Sequence, residues 1–157
     1  MADPEWVLLA YRLPREPSTP RIAVWRKLRR LGAVQLVDGL VALPADAATI
    51  EAFDWLADEV VDAGGEAWTF QARPGSKRQH TALRSQINDA IGTEYRELID
   101  SARLATGDRS RRSVERLRRE LRRIQARDHF GAKEAETARR AVERAAAALD
   151  AVEASPR

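Results

Sequence analysis

Short strand-like and helix-like segments alternate through the first half of the chain, and their order restricts the fold more than any other feature. Strand patterns occupy residues 6–13, 33–37, 40–43 and 66–73, and helical patterns occupy residues 19–32 and 45–63. Asp38-Gly39 lies between two strand patterns and is typical of a hairpin turn. The order β-α-β-β-α-β, with right-handed crossovers, predicts a four-stranded antiparallel sheet with two helices on one face, the ferredoxin-like arrangement.

Apolar spacing within these segments predicts which side chains form the core. The helical repeat predicts inward faces made of Ile22, Trp25, Leu28 and Leu31 in the first helix, and of Ile50, Phe53, Leu56, Val60 and Val61 in the second. Large aromatic residues are usually buried, so we assign to the core Trp6, Trp25, Trp55, Trp68 and Phe70. An alternative stays open for Tyr11 and Trp25, which border the proline-rich loop at 14–20 and would line a pocket there.

A change to Arg, Glu, Ala and Leu after Gly75 predicts a second, helical part. Helices are expected at 77–104, 111–127 and 132–152, with turns at 106–108 and 128–131. The last helix carries a stripe of small and aliphatic residues, which predicts close packing within the extension or against a partner chain. Its members are Ala135, Ala138, Val142, Ala145, Leu149 and Val152. The prediction is an α+β chain with a ferredoxin-like domain at 1–75 and an antiparallel three-helix extension at 76–157.

The residues that enzymes use are scarce. There is no cysteine, and the two histidines, His80 and His129, lack the spacing of metal ligands. No glycine-rich phosphate loop is present, and the first strand ends in Tyr11-Arg12 without the carboxylate that a metal nuclease needs. We therefore expect no enzymatic activity, catalytic residue, metal or cofactor. Without a signal peptide or a long apolar run, we expect a cytoplasmic protein with no membrane partner.

Basic residues gather in two places although the net charge is only +3. Residues 1–72 hold seven basic and eleven acidic groups, whereas residues 107–131 hold nine and four. Arginine binds phosphates and oxyanions in a bidentate manner, so both clusters are predicted to contact DNA or an oxyanion. The predicted residues are Arg12, Arg15, Arg21, Arg26, Lys27, Arg29, Arg30, Arg112, Arg116, Arg119, Arg122 and Arg123. The alternative is a solvated helix face that Glu115, Glu120 and the Glu-rich last helix partly neutralise.

The opening stretch also resembles a known family. Within it, the pattern L-P-x-x-P-S-x-x-R-x-x-x-W-R-x-L-x-x-x-G-A-x-x-L-x-x-G is similar to the N-terminal domain of chromate-resistance regulators, and I-Q-A-R-D-H-F-G-A at 124–132 resembles their helical segment. The sheet part is also similar to the ferredoxin-like module of phenylacetate-type repressors. Full-length regulators carry a further C-terminal domain, so the chain is expected to be a short member or a fragment. No winged-helix or helix-turn-helix motif is recognisable.

The resemblance implies a regulator that binds promoter DNA of a chromate efflux operon and responds to chromate or another oxyanion. An alternative from another class is a non-enzymatic interaction module that forms a homodimer or docks a partner through its helices. An oxyanion-handling enzyme is the least favoured hypothesis, because the chain has no cysteine and no acid–base pair.

Overall fold

The predicted order of elements is confirmed by the computed structural model, which describes residues 5–108 and 110–155. The elements are β1 (Trp6–Arg12), α1 (Thr19–Leu31), β2 (Val34–Val37), β3 (Leu40–Pro44), α2 (Ala47–Asp62), β4 (Glu66–Ala72), α3 (Lys77–Asp108), α4 (Arg111–Arg127) and α5 (Ala135–Glu153). They form two compact units, the first extending to Ile87 and the second beginning at Asn88. No helix in the described ranges combines the length and apolarity that a membrane span requires.

The first unit is built on a sheet with the strand order β2-β3-β1-β4. β1 lies inside the sheet, as its continuous apolar sequence predicts, and it is antiparallel to both β3 and β4. Alternate residues of β1 pack with both helices in a core that contains Val7, Leu9, Val24, Leu28, Val41, Leu43, Phe53, Leu56 and Val60. Asp46 caps α2 by accepting a hydrogen bond from the Thr49 amide at 2.8 Å, and Thr49 Oγ1 accepts one from the Asp46 amide.

The prediction that the aromatic residues are core is right for Trp6 and wrong for the other four. Trp6 is buried, and its indole donates a hydrogen bond to His80 Nδ1 at 3.1 Å. Trp68 and Phe70 are 69% and 52% exposed, because they pair with Ala10 and Leu8 on the sheet face opposite the helix-packed Leu9. Trp25 and Trp55 are 52% and 68% exposed, since each lies on the outer side of its helix.

The inward face of α1 also differs from the prediction. Val24 and Leu28 are buried, whereas Ile22 is 45% exposed and Trp25 points away from the core. The predicted set that begins with Ile22 and Trp25 and the set that contains Val24 both have helical spacing. The structure buries the set that contains Val24. In α2, Phe53, Leu56 and Val60 are buried as predicted, but Val61 is exposed.

The Asp38-Gly39 turn packs directly on β1, and a substitution at Gly39 tests how much this contact contributes to stability. The Tyr11 amide donates a hydrogen bond to the Gly39 carbonyl at 2.8 Å. Gly39 has φ +75, and an added Cβ would lie 2.6 Å from the Tyr11 carbonyl oxygen. We expect Gly39→Ala to lower the free energy of unfolding by about 2–4 kcal/mol, through left-handed strain together with the backbone clash.

The matched control for this substitution is Gly32→Ala. Gly32 has φ +74, but nothing lies within 4 Å of its added Cβ. Only the left-handed strain remains, so a loss of about 1 kcal/mol is expected. Urea denaturation measures both variants, and equal losses would contradict the role assigned to the Tyr11 contact.

In the second unit, α3 is longer than predicted. The turn expected at 106–108 is wrong, because the helix continues to Asp108 and Thr106 Oγ1 donates to the Ala102 carbonyl at 3.0 Å. Gly107, within the predicted turn, costs the helix only about 1 kcal/mol relative to alanine. Burial of Ala102 and Ala105 offsets this cost. α5 starts at Ala135 instead of 132, since Gly131 takes φ +70 and the Ala132 amide donates to the Asp128 carboxylate at 2.9 Å.

Ion pairs and a hydrogen bond join α3 to the segment around the end of α4. Arg127 donates to both carboxylate oxygens of Glu94, at 2.7 and 2.5 Å. The buried Tyr95 hydroxyl donates to Asp128 at 3.0 Å, and its pKa is raised by burial and by that hydrogen bond. A further ion pair joins Arg96 to Glu134 at 2.8 Å. These contacts fix the C-terminal end of α4 within the unit.

Candidate functional site

A groove of about 500 Å³ opens where the end of β1 meets the first turns of α1. We call it the basic groove. It is lined by Tyr11, Arg12, Leu13, Arg21, Ile22, Trp25, Arg26 and Gly39. Three arginines predicted from the sequence therefore share one site with Tyr11 and Trp25, the two aromatic residues proposed as an alternative pocket lining.

Helix geometry explains how α1 contributes its side of the basic groove. Arg21 and Trp25 are four residues apart, as are Ile22 and Arg26, so the side chains of each pair lie one above the other. The core stripe of α1 passes through Val24 and Leu28, which leaves these four residues at the surface. The exposed Trp25 therefore belongs to the wall of a groove.

Positive charge and aromatic surface meet in the basic groove. Arg12 is paired with Glu66 at 2.7 Å, but both side chains are more than two-thirds exposed, so solvent weakens this pair. Within the described ranges, Arg21 and Arg26 form no ion pair. Arg29 lies over the Trp25 ring, with its guanidinium carbon 5.0 Å from the ring centroid. Burial raises the pKa of Tyr11, which favours its neutral hydroxyl.

The remaining basic residues of the first cluster lie elsewhere in the unit. Lys27 forms an ion pair with Glu59 of α2 at 2.5 Å. Lys27 and Arg30 line a smaller groove of about 270 Å³, together with Trp55. Arg15 is exposed in the proline-rich loop. The first predicted cluster is therefore divided between several surfaces.

The second cluster is brought together as the sequence predicts. Val114, Leu117 and Ile124 face inward, so the opposite side of α4 carries what we call the α4 arginine face. Its members are Arg111, Arg112, Arg116, Arg118, Arg119, Arg122 and Arg123. Arg111 pairs with Glu153 at 2.9 Å and Arg123 lies 3.6 Å from Glu120. The other five have no ion pair among residues 5–108 and 110–155. Arg109 lies outside the described residues.

The alternative interpretation assigns part of the neutralisation of this face to the Glu-rich α5, whose acidic groups have the following partners. Glu136 is bound by Arg139 and Arg140 of the same helix, at 2.6 and 2.9 Å, and Glu143 is bound by Arg139. Hydrogen bonds from these arginines lower the pKa of Glu136 to about 2. Glu136 and Glu143 are therefore engaged within α5, and among the acidic groups of α5 only Glu153 forms an ion pair with an arginine of α4 in the described part of the chain.

Sequence reasoning missed two groups that belong to these surfaces. Ile22 was assigned to the core, and Gly39 was recognised only as a turn residue, yet both line the basic groove. The helical spacing of Val24, Leu28 and Leu31 also predicts an inward face, and that face would have placed Ile22 and Trp25 at the surface. The exposed pair Trp68 and Phe70 was also missed, because alternation with polar residues is typical of a strand whose apolar side chains face inward.

Comparison with known proteins yields one family and one curated relative. The family model described as "Protein ChrB, N-terminal" matches residues 21–154. Protein ChrB of Cupriavidus metallidurans is 30% identical over 106 residues, which make up 66% of this chain and 32% of that protein. The chain thus spans about a third of the length of this relative. No solved structure matches the chain.

Proposed function

Because the chain belongs to the ChrB N-terminal family, and so to proteins related to chromate resistance, we propose that it is a DNA-binding regulator of that response. The α4 arginine face is the observation that carries this proposal. It presents seven arginines on one side of a 17-residue helix, and five of them have no ion pair within the described residues. Such a surface suits the closely spaced phosphates of DNA.

The dimensions of α4 support contact with both strands. At about 1.5 Å per residue the helix is roughly 25 Å long, and a major groove is about 12 Å wide. We expect the arginines distributed along this length of the α4 arginine face to reach phosphates on either side of such a groove. These contacts position a protein on DNA, and base sequence is recognised by other groups.

A response to chromate also needs a place for a divalent oxyanion, and we assign it to the basic groove. Arg21 and Arg26 are five residues apart on α1, and both residues line the basic groove. A guanidinium fork donates two parallel hydrogen bonds to an oxyanion. No catalytic step is part of this role.

A gel shift with the DNA upstream of the protein's own gene tests the proposal. We expect binding at low salt that weakens steeply as salt increases, because each phosphate contact releases a bound counterion. Added chromate is expected to alter the affinity, whereas sulfate at the same concentration controls for ionic strength. The absence of any shift at low salt would exclude the DNA-binding role.

A second function, docking of another protein or a second copy, is favoured by the open sheet face. We use this name for the surface that bears Leu8, Ala10, Trp68 and Phe70. Exposed aromatic surface of this kind often marks a protein interface. Light scattering tests it: if Trp68→Ser with Phe70→Ser converts a dimer to monomers and leaves DNA affinity unchanged, docking is supported. A monomeric wild-type chain would rule out self-association.

A further inference from the structure

The basic groove is larger and more aromatic than an inorganic oxyanion needs. Its volume of about 500 Å³ falls in the range of sites for organic ligands, and a tetrahedral oxyanion would fill a small part of it. Trp25, Tyr11 and Ile22 supply flat or apolar surface that an oxyanion does not use. The groove therefore offers contacts to two chemically different parts of one ligand.

We propose that the basic groove binds a free nucleotide, with the base stacked on the Trp25 wall and the phosphates held by Arg21, Arg26 and Arg12. This inference rests on the anion-binding role given to the groove above and specifies the molecule that carries the anion.

The aromatic half of the groove suits a nucleobase. Trp25 is 52% exposed, so much of its ring surface is available to a ligand. Arg29 already stacks on the ring at 5.0 Å, which holds the indole in a defined position. Stacking on an aromatic side chain contributes affinity for every base, because each base presents a π-face. Ile22 borders the same surface and adds apolar contact.

The charged half of the groove suits phosphate esters. Arg21 and Arg26 have no ion pair in the described residues, and Arg12 is held only by the exposed Glu66. Three guanidinium groups from β1 and α1 match a chain of phosphates better than a single tetrahedral ion. Tyr11 adds a hydroxyl group at the same site.

Isothermal titration of the full chain with ATP and with tripolyphosphate tests the inference. Both ligands carry three phosphates, but only ATP carries a base. We expect ATP to bind about tenfold more tightly than tripolyphosphate. Either ligand can also bind the α4 arginine face, which lowers the apparent ratio, so the preference assigned to the groove is the part of the ratio that depends on Trp25.

Two tryptophan variants test whether the preference for ATP over tripolyphosphate arises in the basic groove. Trp25→Ala is expected to remove the preference for ATP and to leave tripolyphosphate affinity within about twofold. Trp55→Ala is the matched control, since Trp55 is 68% exposed on α2 outside the groove, and it should keep the full preference. Arg21→Ala with Arg26→Ala should weaken both ligands. Circular dichroism verifies that each variant is folded.

The outcomes separate this inference from the proposed function. Equal affinity for ATP and tripolyphosphate, or an equal loss in Trp55→Ala, would overturn the nucleotide site. If chromate binds and ATP does not, the groove is a simple oxyanion site and the regulatory proposal stands. If ATP binds through Trp25 but DNA is not shifted, the regulatory proposal is wrong and the nucleotide site stands. Binding of an oligodeoxyadenylate strand through Trp25, without ATP binding, would also overturn the proposal for a free nucleotide.

Discussion

Changing Arg119, Arg122 and Arg123 to glutamate is expected to reduce DNA affinity by about a hundredfold or more at low salt. Each lost phosphate contact removes one released counterion, so the slope of log affinity against log salt should fall by about three. The introduced carboxylates also repel the phosphates. Because all three side chains are exposed on the α4 arginine face, the variant should fold normally.

A control of equal charge change is available on α5. Arg140 and Arg144 are exposed and Arg139 is half-buried, and Arg139 and Arg140 are already paired with glutamates of α5. Changing these three to glutamate alters the net charge equally but leaves the α4 arginine face intact. DNA affinity should then stay within a few-fold of wild type. An equal loss in both triple variants would mean that only total charge matters.

Placing aspartate at Leu149 is expected to unfold the second unit. Leu149 is 8% exposed and packs in a cluster with Val114 of α4 and Ala146. A carboxylate there is buried without a partner and the leucine contacts are lost, which together cost about 4 kcal/mol or more. Such a cost is a large part of the stability of a small domain. Loss of the circular dichroism signal at 222 nm, or of a thermal transition, reports it.

Val152→Asp is the corresponding control one turn further along α5. Val152 is 45% exposed, so its change to aspartate should alter stability by less than about 1 kcal/mol. The sequence placed Leu149, Val142 and Val152 together on one stripe, which was also a candidate dimer face. If Leu149→Asp stays helical and only dissociates a dimer, the stripe serves association instead of the unit's own core.

The α4 arginine face could be predicted from sequence because a single helix determines it. The apolar spacing of Val114, Leu117 and Ile124 fixes which side of α4 is buried, and the members of the α4 arginine face then lie on the outer side. No distant contact is needed for that conclusion. The ferredoxin-like arrangement could be predicted by a separate argument, since hairpin and crossover rules leave few alternatives for these six segments.

The basic groove could not be predicted from the sequence as reliably as the α4 arginine face. α1 offers two stripes of helical spacing that share Leu28, one through Ile22 and Trp25 and one through Val24. The choice depends on which stripe fits the sheet, and tryptophan was assigned inward on its apolar character. The groove also needs Gly39 beside Tyr11, residues that are far apart in sequence and meet only through pairing of β1 with β3.

The close spacing of arginines on α4 destabilises the free protein, although the same charges would favour binding of a polyanion. Like charges three or four residues apart on a helix repel one another, by a few tenths of a kcal/mol for each pair. Dissolved salt screens that repulsion, so its cost to the second unit falls as ionic strength rises, while affinity for a polyanion would also fall. A bound polyanion relieves the same repulsion. The surface that would hold DNA is therefore also a local source of instability, and occupancy of that surface stabilises the fold.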